Sequence, residues 1–462
     1  NWWRRDRFLG VIELSERRYF GTDGVRDVAN RGAMTPEMAM RLGMAYVRFL
    51  KDNGVSSPRV VVGRDTRISG QMLELALSAG VASMGASVIS LGVMPTPGVS
   101  FALTQGMGDG GAVVSASHNP AEYNGIKFFG TDGRKLPDEQ EAAIESYLEG
   151  DLEDRPVGVG MGSYREDVTL VEGYAKWLVS CSGEAKPLGR GVIDCANGAI
   201  CRVASRVFDG WDVTFTGNAP DGNNINDGCG VMHMENLSRL VRERKARFGV
   251  AFDGDADRTL LCDSKGRVID GDLMLWVLAR WLRARGQLGS GVVATVMSNM
   301  VLDEKLRQEG IALFRCPVGD RYVLETMTRE GAMLGGEQSG HVIVSPWVVT
   351  GDGLCTALLF LRACVEMGED LDSLCDRFKP YPQRLINMRV RDKGEVLDSP
   401  LLRTAVSSAE EILGSLGRVF VRPSGTEPLV RILLEARDEA LLESSSQVFM
   451  GVLDRFHVSV HR

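Results

Sequence analysis

Apolar positions along this chain follow two rhythms, one of helical spacing and one of short β-branched runs, and the two alternate. Behind Thr35-Pro36, Met38, Leu42, Ala45, Tyr46 and Phe49 recur on one face, and Gly54 follows. A hydroxyl N-cap, a proline at the first helical position and a terminal glycine bound a predicted helix there. Further helices are predicted over 71–84, 272–285 and 299–309. Strands are predicted over 59–62, 87–91, 111–114, 125–129, 191–194, 211–215, 248–252, 292–296 and 311–315, with a hairpin from Leu260 to Ile269 and 125–129 pairing with 111–114. Such alternation is the mark of α/β layers. The Gly- and acid-rich stretch from Leu152 to Gly162 reads as a linker. After Phe378-Lys379-Pro380-Tyr381-Pro382 the rhythm changes to strand, helix, a hairpin around Arg422–Pro428 and a last helix, predicting a smaller α+β domain. The three earlier stretches are of similar size, but no repeat is visible in their residues.

At 462 residues, the chain exceeds one core and suggests three to four domains. Its 44% hydrophobic and 25% charged residues fit an ordinary globular protein. A net charge of −8 argues against a nucleic-acid or anionic-membrane binder, yet local arginine clusters still permit an anionic substrate. Nine cysteines without a C-x-x-C pair predict reduced thiols in a cytoplasm. No run reaches the ~18 apolar residues of a membrane span. Asn1–Gly10 has an apolar part too short and charged for the core of a secretory leader, and is read as an extension without functional weight.

Candidate chemistry lies where the predicted strands end. Ser115-Ala116-Ser117-His118-Asn119-Pro120 follows the strand at 111–114 and presents the Ser117 hydroxyl as a nucleophile. Asp253-Gly254-Asp255-Ala256-Asp257-Arg258 follows the strand at 248–252; three carboxylates so close repel unless a cation lies between them. Hard oxygen ligands on a tight loop suit Mg²⁺. A solvated acidic turn or a calcium loop is the alternative, the latter disfavoured because Thr259–Cys262 enters a strand. A phosphate on Ser117 would supply a further oxygen to that metal. Lys127, between Ile126 and Phe128, is either an exposed strand lysine or a desolvated one with a lowered pKa suited to proton transfer. Gly335–His341 is a glycine-rich loop whose Glu337 and Ser339 suit vicinal sugar hydroxyls and whose His341 suits a base. Arg422-Pro423-Ser424-Gly425-Thr426-Glu427-Pro428, with Arg431, suits a phosphate that does not react. Arg26 and Arg64 are weaker phosphate candidates.

These runs, in this order from Tyr19 on, resemble the α-D-phosphohexomutase superfamily: Phe20-Gly21-Thr22-Asp23-Gly24, Ser115–Pro120, Asp253–Arg258, Glu337–His341 and Arg422–Pro428. Val318–Val323 and Gln338 are most similar to its glucosamine-phosphate branch. The resemblance implies an α/β protein of four domains around a central cleft, at 1–165, 166–266, 267–379 and 380–462. Three are related α/β domains and the last a small phosphate-gripping α+β domain. It implies a phosphoserine at Ser117, one Mg²⁺ held by Asp253, Asp255, Asp257 and Ser117, and proton transfer or orientation by Lys127, His341 and Arg26. Glu337 and Ser339 match the sugar-hydroxyl loop, and Arg422, Ser424, Gly425 and Thr426 the distal clamp. Glucosamine 6-phosphate and glucosamine 1-phosphate are then the substrates, with glucosamine 1,6-bisphosphate as intermediate and activator. Partners are small sugar phosphates, with no nucleic acid, no membrane and a homodimer as an open option. Alternatives are a phosphoglucomutase or phosphomannomutase of the same fold, a Mg²⁺ phosphatase with an aspartyl nucleophile, and a non-catalytic sensor. Three departures stand out. Ala256 replaces a common glycine, tolerable if it avoids positive φ. Asp27 stands where glycine is frequent, and Val231-Met232-His233-Met234 where Ser-Thr-His-Pro is typical.

Overall fold

The computed structural model describes residues 18–21, 23–150, 152, 154–183, 189–424 and 428–456. The extension at Asn1–Gly10 and two clamp candidates, Gly425 and Thr426, lie outside the described residues. The described residues form two compact units, one of Asn299–Lys305 with the chain from Phe378 on, the other of the remainder.

Three sheets build the larger unit. The first contains β1 (Val25–Val28), β2 (Arg59–Arg64), β3 (Ser87–Val93), β4 (Gly110–Val114), β5 (Tyr123–Phe129) and β6 (Tyr164–Glu166), in the order β1-β5-β4-β2-β3-β6. The second contains β7 (Gly191–Asp194), β8 (Val213–Thr216), β9 (Phe248–Phe252), β10 (Thr259–Asp263) and β11 (Val268–Ile269), ordered β11-β10-β9-β7-β8. The third contains β12 (Val292–Thr295), β13 (Leu313–Cys316), β14 (Leu334–Gly336) and β15 (Val342–Val344), ordered β13-β12-β14-β15. Each sheet has a parallel core flanked by an antiparallel return strand: β4 with β5, β9 with β10, β14 with β15. This is the repeat the residues conceal. The three connections it creates are 115–122, 253–258 and 337–341, the loops that carry the candidate chemistry.

Local chemistry explains the elements. In helix Pro36–Asp52 the Thr35 hydroxyl accepts from the Met38 N–H at 3.3 Å, and Leu42, Tyr46 and Phe49 are buried against the first sheet's core. Helix Ile68–Ser83 crosses it closely: a Cβ on Gly43 would lie 2.3 Å from Leu77 O, and one on Gly80 2.0 Å from Met40 O. Side chains at these two positions would force the helices apart. The second helix begins three residues before the predicted start at 71, because Ile68 is 68% exposed and falls off the apolar pattern. Among its described residues, the expected linker at 152–162 holds one 3-10 turn, Gly158–Gly160, and no strand; the sheet resumes just past it. Gly162 N–H donates to Ala82 O at 2.9 Å, and β6 then extends the sheet parallel to β3. All nine cysteines are free thiols, and among the described residues no helix is long and apolar enough to cross a membrane.

The smaller unit is an antiparallel sheet of β16 (Gln383–Arg389), β17 (Gly417–Pro423) and β18 (Leu429–Ala436), ordered β16-β18-β17. Helix Pro400–Leu413 and the C-terminal helices cover it through Leu402, Ala409, Val430, Ile432 and Phe449. Segment 299–305 is tied in by Asn299, which exchanges two 3.0 Å hydrogen bonds with Tyr381, and by buried Glu435, which accepts the Met300 N–H. The chain is thus a multidomain α/β protein with a distinct α+β element at its carboxyl end.

Candidate active site

Within the larger unit the three return loops meet. Ser117 Oγ donates to Asp253 Oδ2 at 2.5 Å across 136 residues of sequence. Ser117 itself is 2% exposed and adopts φ +50°, an unusual left-handed conformation for serine. Asp253, Asp255 and Asp257 are buried, with ligand-capable oxygens within 4.8 Å of one another. Asp255 Oδ1 and Asp257 Oδ1 are buried without a hydrogen-bond partner. Buried carboxylate oxygens left unpaired are costly, and a hard divalent cation is the species this donor set fits.

The surrounding charges follow from that density of carboxylates. Burial, with Asp257 and Asp255 beside it, pushes Asp253 well above the usual carboxylate range. Burial opposes the charge of Asp255 as well, but the Lys127 ammonium at 3.1 Å and the Thr96 hydroxyl at 2.6 Å hold it low. Lys127 is 2% exposed, also pairs with Asp23 at 3.0 Å, and lies 3.9 Å from Asp257. Neither reading open from the sequence holds: Lys127 is not exposed, and its ammonium is not lowered. Burial does disfavour its charge, but Asp23 and Asp255 outweigh burial and raise it. Lys127 is therefore a held cation in this state.

Other residues complete the cluster, and Lys135 among them was not singled out from sequence. Lys135 bridges Asp23 at 2.7 Å and Asp320 at 2.5 Å, and burial is overcome by these two carboxylates so that its ammonium is raised well above normal. Arg258 donates its N–H to Asp253 at 3.1 Å, and its Nη1 lies 3.3 Å from His118 Nδ1. Burial and the guanidiniums of Arg258 and Arg26 push His118 down to about 4, leaving a neutral imidazole 3.4 Å from Ser117 Oγ. Arg26 pairs with Asp23 at 2.7 Å and reaches Asn119 Oδ1 at 3.4 Å. Arg64 is instead bound to buried Glu74 at 2.8 Å, a pair that ties helix Ile68–Ser83 to the end of β2.

The third loop joins through its backbone. Thr259 N–H donates to Gly340 O, and a Cβ on Gly340 (φ +94°) would meet Thr259 O at 2.1 Å, so glycine permits the approach. His341 is 2% exposed; its Nδ1 is 3.7 Å from Asp257 and its Nε2 has no hydrogen-bond partner. Glu337 accepts from Gly319 N–H and Ser339 Oγ, each at 3.1 Å. Glu337, Gln338 and Ser339 line a cavity of about 380 Å³ with Thr295, Met297 and Val318. Ala256 adopts φ +58°, so the condition under which alanine replaces glycine here without strain is not met. Its loop is fixed from the far side by Gly353 N–H, which donates to Ala256 O at 3.0 Å.

In the smaller unit, Arg422 and Arg431 are directly paired across β17 and β18, on one face of the sheet. Buried Ser424 follows at the turn, its carbonyl accepting from Lys393 Nζ at 2.9 Å.

Comparison with known proteins agrees with this arrangement. Family models described as phosphoglucomutase/phosphomannomutase match at residues 17–155 (alpha/beta/alpha domain I), 270–381 (alpha/beta/alpha domain III) and 385–449 (C-terminal domain). A phosphoglucosamine mutase of Moorella thermoacetica is 48% identical, over 92% of this chain and 97% of that protein. One from Deinococcus deserti is 48% identical, over 96% and 99% respectively. A solved phosphoglucomutase/phosphomannomutase family protein of Burkholderia thailandensis superposes with a TM-score of 0.80 at 26% identity, covering 94% of this chain and 96% of its own. The Aspergillus fumigatus N-acetylphosphoglucosamine mutase, solved with GlcNAc-6P and magnesium, shares the fold at a TM-score of 0.65 and 18% identity, covering 95% and 96%. Three return loops converging on a carboxylate triad, with these relatives along nearly the whole chain, place the protein in the phosphoglucosamine mutase family of the phosphohexomutases.

Proposed function

We infer that this protein interconverts glucosamine 6-phosphate and glucosamine 1-phosphate through a phosphoserine at Ser117. The observation that carries the reading is the Ser117 hydroxyl held 2.5 Å from Asp253, beside two buried carboxylate oxygens that lack partners. The near-full-length relatives named phosphoglucosamine mutase support the amino sugar over glucose or mannose.

In the forward direction the free C1 hydroxyl attacks the phosphorus on Ser117. The bond from phosphorus to Ser117 Oγ breaks as the bond to the sugar oxygen forms, giving glucosamine 1,6-bisphosphate. His341 Nε2, buried and free of hydrogen bonds, is suited to accept the proton of the attacking hydroxyl. Lys127 and Arg26, both held near Asp23, keep positive charge beside the site. The bisphosphate then turns over and its other phosphate returns to Ser117. Asp253, Asp255, Asp257 and Ser117 would hold one Mg²⁺, which when bound offsets negative charge on the transferring group and on the serine oxygen. Glu337 and Ser339 take the sugar hydroxyls. Arg422, Ser424, Gly425, Thr426 and Arg431 grip the phosphate that does not react, and the arginine register across β17 and β18 supports that role.

Intact-protein mass measured before and after addition of glucosamine 1,6-bisphosphate and Mg²⁺ tests the mechanism. A phosphate adduct is expected on the native chain and absent from Ser117→Ala. Steady phosphate release that survives Ser117→Ala would refute it in favour of hydrolysis at an aspartate. Rates on glucosamine, glucose and mannose 6-phosphates test the substrate, and a preference for either neutral sugar overturns the assignment.

A further inference from the structure

We propose that Arg67 is a positioning residue for phosphoryl transfer, a buried guanidinium that holds the Ser117 backbone in the turn from which its hydroxyl meets Asp253. The proposal rests on the reading of Ser117 as the phosphoryl carrier.

The side chains of Arg67 and Asp65 are both 0% exposed and paired at 2.9 Å. Both sit just past β2, whose end is in register with the end of β4 at Arg64 and Val114. From there the guanidinium reaches three carbonyls of the neighbouring loop. Its Nη2 donates to Ser117 O at 3.1 Å and Asn119 O at 2.8 Å, and its Nη1 donates to Pro120 O. Asp65 grips the loop from the other side: its Oδ2 accepts from Ser115 Oγ at 2.6 Å, which in turn accepts from Ser117 N–H at 3.0 Å. One ion pair thus fixes both the N–H and the C=O of Ser117. Asn226 Nδ2 adds donations to Ser117 O at 2.9 Å and Asn119 O at 3.0 Å.

A serine at φ +50° does not hold that conformation by local preference, so the surroundings must impose it. Arg67 acts through the loop, since these bonds run to Asp65 and to main-chain oxygens. A planar fork spanning several carbonyls is chemistry that lysine does not reproduce.

The test uses the full chain with Mg²⁺ and compares the native protein with Arg67→Lys and Ser115→Ala. Steady-state kinetics on glucosamine 6-phosphate are read together with the intact-mass phosphate adduct. Displacing a reacting atom by about 1 Å costs on the order of 100-fold, so Arg67→Lys is expected to lose about that in kcat with KM little changed. Ser115→Ala, which breaks the same relay but leaves both charges of the ion pair in place, is expected to lose roughly 10-fold in kcat. If Arg67→Lys does not fold, Ser115→Ala decides alone. Unchanged kcat in a folded variant, or a loss confined to KM, overturns the proposal. Failure of the underlying reading is distinct: the native chain itself then shows no adduct.

Discussion

Replacing Asp253 by Asn should stabilise the metal-free protein and weaken its response to Mg²⁺. Asp253 lies within 4.8 Å of two other buried carboxylates, and a pair of charges at that distance repels by about 3.5 kcal/mol at an effective dielectric constant of 20. The Arg258 N–H and the ammonium of Lys127 on Asp255 offset part of this, leaving a net cost of about 1–2 kcal/mol. The cost appears either as repulsion or as uptake of a proton, because the Asp253 carboxyl is raised well above its unfolded value. A carboxylate raised in the folded state destabilises above its unfolded pKa, and the penalty fades as pH falls toward 4. Asn keeps the bond from the Arg258 N–H through its carbonyl, while its amide can donate to Ser117 Oγ. Scanning calorimetry at pH 7 in chelator should then show Tm raised by roughly 1–2 °C for Asp253→Asn. In Mg²⁺ at 100 times Kd the native protein gains about 2.7 kcal/mol, and the variant gains less, so the order of the two reverses. A variant that melts below the native protein in chelator would mean that Asp253 is not repelled by the other carboxylates, and one that gains equally from Mg²⁺ that it is not a metal ligand.

Lys127→Met removes the ammonium from Asp23, Asp255 and Asp257. It is expected to cost about 3–5 kcal/mol without metal, as a buried pair broken on one side does. The same change makes the triad more negative, so calorimetric titration should find tighter Mg²⁺ binding, while loss of the cation beside the transferring group lowers kcat by about 100-fold or more. At position 256, with φ +58°, Ala256→Gly should be neutral to about 1 kcal/mol stabilising. Ala256→Val should cost about 2 kcal/mol or more in the same melts. Asp352 caps helix Gly353–Met367, accepts from the Tyr174 hydroxyl at 2.9 Å, and is pushed by burial up to about 6. Its folded pKa is raised, so the penalty is absent below pH 4 and complete above pH 6. Asp352→Asn should stabilise by about 1–3 kcal/mol at pH 7 and by nothing at pH 3.5, measured by urea unfolding. His118 has the opposite sign: lowered to about 4, it takes up a proton on unfolding. Stability therefore falls as pH drops from 6.5 to 4, and His118→Asn should flatten that slope.

The loops and most of their chemistry are legible in the residues alone. Strand ends are legible because β-branched runs stop at polar, glycine-rich stretches. Those stops are where Ser117 and Asp253–Asp257 stand. Glu337–His341 was legible only as a glycine-rich loop, because the strands beside it, Leu334–Gly336 and Val342–Val344, are only three residues long. The helix at Pro36–Asp52 was legible for a similar reason, since its cap, proline and apolar stripe are all local. The tertiary structure alone decided the electrostatics. Lys127 is 128 residues from Asp255 in the chain and 3.1 Å from it in space, and Coulomb energies follow the second number. Hence the raised rather than lowered Lys127, and hence the unforeseen joining of Asp23, Lys135 and Asp320, which no spacing rule connects. The Arg67 fork was hidden in the same way: β2 and β4 are parallel neighbours, but the chain visits β3 between them. The left-handed turns at Ser117 and Ala256 are likewise imposed by partners across the fold, against the local preference of their residues.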